Sequence, residues 1–137
     1  MVKGINGYAH LVARLILGVI FVMHGWQKVF DVGVEQVARD FDAAGVPWPD
    51  LVGQYSAWVE LIGGVAVAIG LALPVACVLL IVDLGIEIYF IRFDAGFWDY
   101  AGGYEFQLAL IAALAAVCFA QAGTLAVDHF VYKKVKS

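Results

Sequence analysis

Eight ionisable side chains stand within or at the ends of apolar stretches of this chain: Arg14, His24, Lys28, Glu60, Asp83, Glu87, Arg92 and Glu105. A charge near a bilayer centre costs at least ~2.5 kcal/mol, so such residues usually face a bundle interior or a wet cavity. Lys28 or His24 could donate to a ligand oxygen, while Glu60 or Glu105 could relay protons. That chemistry suits a quinone head group, which needs donors to its two carbonyl oxygens and a nearby proton source. Lys28 and Arg92 set against Glu60, Asp83, Glu87 and Glu105 leave negative charge in excess if all ionise. Low-dielectric surroundings then favour a proton on at least one carboxyl. Asp83 and Glu87 are one helical turn apart, an unfavourable pair unless one is neutral or a cation is shared.

The elements that must position these groups are four apolar stretches, at residues 11–30, 51–73, 75–91 and 106–127. Each is close to the ~20 residues that cross ~30 Å of hydrocarbon as helix. The 137 residues are 64% hydrophobic and 15% charged, with a mean hydropathy of +0.89. A soluble domain could not cover that apolar surface with so few polar groups. The composition predicts an all-α polytopic membrane protein: one transmembrane domain over residues 1–137, a four-helix bundle. The first stretch runs into Trp26, Lys28 and Phe30 without a small-residue cleavage site, and so reads as a retained span rather than a signal peptide.

Charge placement predicts the topology. Lys3, Arg14, Lys133, Lys134 and Lys136 lie towards the two ends, whereas Asp31, Glu35, Asp40, Asp42, Asp50, Asp94 and Asp99 fall in the segments between spans one and two and between spans three and four. Basic residues mark the cytoplasm, so both termini are expected inside, in a multi-pass protein of the inner (plasma) membrane. The asymmetry argues against nucleic acid as a partner. The first helix is expected to begin at Asn6 or Gly7 and to end near Asp31 to Gly33. Residues 34–44 alternate apolar and charged groups at helical spacing, which predicts an amphipathic helix on the outer surface. Pro74, suited to a first helical turn, leaves almost no loop between spans two and three and makes them a hairpin.

On span one, Arg14, Gly18, Phe21, Gly25 and Lys28 are spaced four, three, four and three apart and so share one stripe. Its glycines allow close helix approach. Matching depths predict a structural ion pair between Arg14 and Asp128 at the inner end. They also gather Lys28, Glu60 and Glu105 in the outer half as one polar site, with His24 beside it and Asp83, Glu87 and Arg92 as further ligand-binding groups. A plain packing seam with a structural ion pair is the competing reading of each single residue. No Cys-x-x-Cys or His-x-x-x-His occurs, so no metal site is expected, and no haem, because His10 and His24 would lack enough axial partners. Cys77 and Cys118 are expected as small apolar packing residues.

These residues carry a family resemblance. Arg14-Leu-Ile-Leu-Gly-x-x-Phe-x-x-His-Gly-x-x-Lys28 resembles the first-helix signature of DoxX-like membrane proteins. Glu60-Leu-Ile-Gly-Gly, with Gly70 beyond it, is similar to the pattern of their second helix. Gly103-Tyr-Glu105 resembles the opening of their fourth, and Gly123-Thr-Leu-Ala-Val-Asp128 their closing element. Where the family often has a Met and a His in the third helix, this chain has Asp83, Glu87 and Arg92. The resemblance implies a four-helix membrane protein linked to quinone, sulfur or oxidative-stress metabolism, relatives of which include the membrane subunit of a thiosulfate:quinone oxidoreductase.

Two classes of function follow. The first is a redox membrane subunit, an oxidoreductase component handling a quinone or small redox ligand and protons in the outer-half pocket. The second is a noncatalytic scaffold in the lipid bilayer that recruits soluble redox enzymes, of superoxide dismutase or sulfurtransferase type, through Lys133, Lys134 and Lys136 on the cytoplasmic side. A transporter is a weaker third, since so small a unit would have to form a homo-oligomer to offer alternating access.

Overall fold

The computed structural model describes residues 2–119 and 127–136, without the side chains of residues 2–4, 6, 118, 119, 128 and 129. Every element among them is helical. α1 (Val2–Trp26) passes into a π-helical turn at Gln27–Asp31. α2 (Val34–Ala43) and α3 (Pro49–Ile69) follow. α4 (Leu73–Glu87) ends in a second π turn at Ile88–Arg92. After two short 3-10 turns come α5 (Glu105–Phe119) and α6 (Val127–Lys136). α1 starts before the expected Asn6 or Gly7. An interior glycine costs a helix only about 1 kcal/mol relative to alanine, so Gly4 and Gly7 do not stop it.

Gly7–Asp31, Pro49–Ile69 and Leu73–Ala95 are long and apolar enough to cross a membrane. The 15 described residues of α5 rise roughly 22 Å, short of the ~30 Å of a hydrocarbon core. The remainder of the fourth expected span, like the Gly123 end of its motif, lies outside the described residues. The outward faces are apolar. Val12, Ile16, Val19, Met23, Trp26 and Phe30 run at spacings of four and three along α1 and its π turn, each more than half exposed. Soluble monomers rarely expose such a stripe. On the opposite face Arg14, Gly18, Phe21 and Gly25 are buried and Lys28 is largely so. The two interleaved patterns give α1 a lipid-facing side and a bundle-facing side.

The bundle-facing side is held by the glycines. A Cβ on Gly18 would lie 2.8 Å from the Gly64 carbonyl oxygen, and one on Gly25 would lie 2.6 Å from the Leu61 Cα. One on Gly64 would lie 2.8 Å from the Val22 nitrogen, so α1 and α3 touch backbone to backbone from both sides. Below this seam Leu17, Phe21, Val67, Cys77, Leu80 and Leu114 form the core where α1, α3, α4 and α5 meet. Cys77 is a packing residue there, as expected; the Cys118 side chain lies outside the described set.

Gly70 ends α3 in the left-handed region (φ 74°), and the Leu71 N–H donates to the Ala66 carbonyl at 2.8 Å. α4 starts at Leu73 with Pro74 in its first turn, so α3 and α4 form the expected hairpin. The short helix expected at 34–44 is α2. Its apolar face, Val37, Ala38 and Phe41, is buried on the protein itself: a Cβ on Gly53 of α3 would lie 3.1 Å from the Ala38 Cα. At the same end the loop after α4 folds back on itself. The Glu105 N–H donates to the Phe97 carbonyl at 2.8 Å, and Tyr104 packs against Phe93 and Phe97.

The seam makes a prediction. Gly25→Ala forces backbone apart and should cost about 1–3 kcal/mol of stability. Gly85→Ala on α4, where a Cβ would meet nothing within 4 Å, should be neutral or stabilising by up to ~1 kcal/mol. Thermal unfolding of the two purified variants in detergent checks the contrast.

Candidate functional site

Lys28 sits in the π turn after α1, and Glu87 immediately precedes the π turn after α4. Such turns occur mostly as single insertions at functional sites, where they re-aim side chains. The Lys28 ammonium donates to Ser56 Oγ at 2.8 Å, Glu60 Oε1 at 2.8 Å and Glu87 Oε1 at 2.5 Å. An ammonium has three N–H bonds, and here each has an acceptor. Ser56 and Glu60 reach it together because they are four residues apart on one face of α3. Glu60 is 3% exposed and Asp83 1%. The carboxyl groups of Glu60 and Asp83 sit side by side, with Ser56 next to Asp83. Ligand oxygens of Glu60, Asp83 and Glu87 all fall within 4.8 Å of one another. Lys28 is the cation that Glu60 and Glu87 share, with Asp83 close beside them.

Beside this cluster lies a cavity of about 350 Å³, within the range of small-molecule sites. Its polar wall includes His24, Lys28, Asp40, Glu60, Glu87, Arg92 and Gln107; Phe21, Leu84, Phe106 and Leu110 supply apolar wall, with Phe41 of α2 beside them. The His24 ring lies 6.1 Å from that of Phe106. Arg92 donates from Nη1 to the Gly103 carbonyl at 3.3 Å and lies 3.9 Å from Asp99 Oδ1, which ties the cavity rim to the loop.

The structure thus brings together Lys28, Glu60, Asp83 and Glu87, and places His24 and Arg92 on the same cavity. Glu105 stands apart from the cavity lining, as the first residue of α5, where a carboxylate complements the helix dipole. Its neighbours Phe106 and Gln107 carry the wall instead. Arg14 is fully buried at the far end of α1, and the Asp128 side chain expected to pair with it lies outside the described residues. Ser56 and Gln107 escaped the sequence reading because neither carries a charge. The available signals were Ser56 at i−4 from Glu60 and Gln107 as an amide inside an apolar helix. Gln107 is 4% exposed, and its Oε1 has no hydrogen-bond partner among the described residues.

Removing one partner of a buried ion pair costs about 3–5 kcal/mol, because a charge is left uncompensated. Lys28→Met should therefore lose stability on that scale. Adding Glu87→Gln should restore a measurable part of it, whereas adding Glu35→Gln on exposed α2 should restore none. Unfolding midpoints of the single and double variants check this.

The comparisons with known proteins agree with this architecture. The DoxX family signature matches residues 9–92, which include Lys28, Ser56, Glu60, Asp83 and Glu87. A Bacillus subtilis (strain 168) protein named "Putative oxidoreductase CatD" is 35% identical over 129 residues, covering 93% of this chain and 90% of that protein. No solved structure matches. With the signature spanning more than half of the chain and a relative aligned along nearly all of it, the chain belongs to the DoxX family of membrane proteins.

Proposed function

We propose that this protein is the membrane subunit of a redox system, binding a quinone or similar small redox ligand in the cavity and exchanging protons with it. It would sit in the plasma membrane with four spans and both termini cytoplasmic, and serve defence against oxidative or thiol stress. The observation that carries the reading is the cavity itself: apolar wall for a ring, with Lys28, Glu60, Glu87 and Gln107 among its polar lining. The oxidoreductase name of the relative supports it. Because the Lys28 protons are all engaged, its part is to fix the charge of Glu60 and Glu87. Donation to a ligand carbonyl falls to the Gln107 amide, His24 and Arg92.

A second reading rests on α6. Its Lys133, Lys134 and Lys136 stand exposed on one short helix, a surface on which an acidic soluble redox enzyme could dock. A scaffold of that kind would carry no redox ligand.

Lipid extraction and quinone analysis of the purified protein separate the two. The redox reading expects bound quinone, or saturable quenching of tryptophan fluorescence by a short-chain quinone. Gln107→Leu should weaken that binding about tenfold, the equivalent of one hydrogen bond at ~1.4 kcal/mol. Neither bound quinone nor quenching would leave the scaffold reading in front. For topology, a single cysteine introduced at Asp42 should react with an impermeant reagent on whole cells, and one at Ser137 only after lysis. The opposite pattern would refute the orientation.

A further inference from the structure

The hydrogen bonds around Lys28 leave a specific deficit. Lys28 gives its three protons to Ser56, Glu60 Oε1 and Glu87 Oε1. The Ser56 hydroxyl, accepting from Lys28, has one proton left, and Asp83 is its bonding neighbour. After those bonds are made, Glu60 Oε2 and Asp83 Oδ2 remain buried with no N–H or O–H donor among the described residues. Yet ligand oxygens of these two carboxyl groups lie within 4.8 Å of one another, and two carboxylates, which only accept, cannot satisfy each other at that range. A buried acceptor left unmet is destabilising, the more so when it is charged.

Among the described residues, charged or titratable groups face the pair from several elements. Lys28 comes from the π turn after α1, Glu87 from α4, and His24, Asp40 and Arg92 line the cavity from α1, α2 and the second π turn. α5 contributes the uncharged Gln107. Tyr55, on α3, donates its hydroxyl away from the pair to the Leu79 carbonyl at 2.6 Å. None of them supplies the missing donor.

We propose that Glu60 and Asp83 share a single proton, and that this pair is the site's proton store, open to the cavity through Glu60 and held in place by Asp83 behind it. Glu60 belongs to the cavity wall and Asp83 does not, so Glu60 is the group that meets a ligand. Asp83 is a positioning residue: it holds the proton between the two side chains by offering it a second oxygen. The shared proton also lowers the local charge. One ammonium against three carboxylates leaves two negative charges; with the proton, one remains. Like-charged carboxyls at close range favour this arrangement, since both cannot ionise cheaply. The inference deepens the proton-handling half of the proposed function but does not depend on which ligand enters.

The test is infrared spectroscopy of the ligand-free, full-length protein in detergent at neutral pH. The protein should show the C=O stretch of a protonated carboxyl, shifted on exchange into D2O. Carbon-13 labelling of aspartate side chains and, separately, of glutamate side chains should each perturb that band. Glu60→Gln and Asp83→Asn should each abolish it, while Glu87→Gln should leave it. The labelled wild type keeps the test decisive if a variant fails to fold. An absent band in the wild type, or a band that responds to only one of the two labels, would overturn the shared proton. Because no quinone is present, the quinone reading can fail while this result stands, and the reverse holds equally.

Discussion

Everything at the functional end of this bundle depends on one ammonium group finding three acceptors. Lys28 lies in a helix with lipid-facing residues on its other side, where an unpaired charge would not be tolerated. Its solution is complete, with Ser56 and Glu60 from α3 and Glu87 from α4 each taking one proton. A long Lys side chain could reach such a nest from several backbone positions. Three helices must converge to build it, however, so the position of α1 against α3 and α4 is fixed by the same contacts that satisfy the charge.

That convergence needs two local devices. The glycine seam lets α1 approach α3 until backbones touch, which brings Lys28 within reach of Glu60 part-way along α3. The π turns at the ends of α1 and α4 then rotate the chain there. They set Lys28 and Arg92 on the cavity rather than on the lipid face. The seam creates proximity and the turns set direction. Gly25→Ala would disturb the first, and so would reach the site without touching any of its polar groups.

Much of this was legible in the sequence because membrane burial makes periodicity and charge unusually informative. Arg14, Gly18, Phe21, Gly25 and Lys28 identified the bundle face of α1, and the structure buries that face. The Pro74 hairpin and the short helix after span one also follow from local chemistry. The seating of α2 was harder to foresee. An amphipathic helix can present its apolar face to lipid or to protein, and Val37 and Phe41 look the same in either case. Ser56 and Gln107 were missed because sequence reading weights charge, while a buried site is completed by uncharged donors and acceptors. The π turns left no signal that helical periodicity could detect, since one inserted residue does not change an apolar pattern over a single turn.

The site also joins two kinds of position. Lys28 follows α1 and Glu60 lies on α3, whereas Asp83 and Glu87 both lie on α4. In space they are one cluster. Two carboxyls on one apolar helix would burden a bundle that lacked Lys28. Here Glu87 completes the coordination of Lys28, and Asp83 stands behind Glu60. The added acidity is thereby converted from a packing penalty into a polar wall that a ligand in the adjacent cavity must meet.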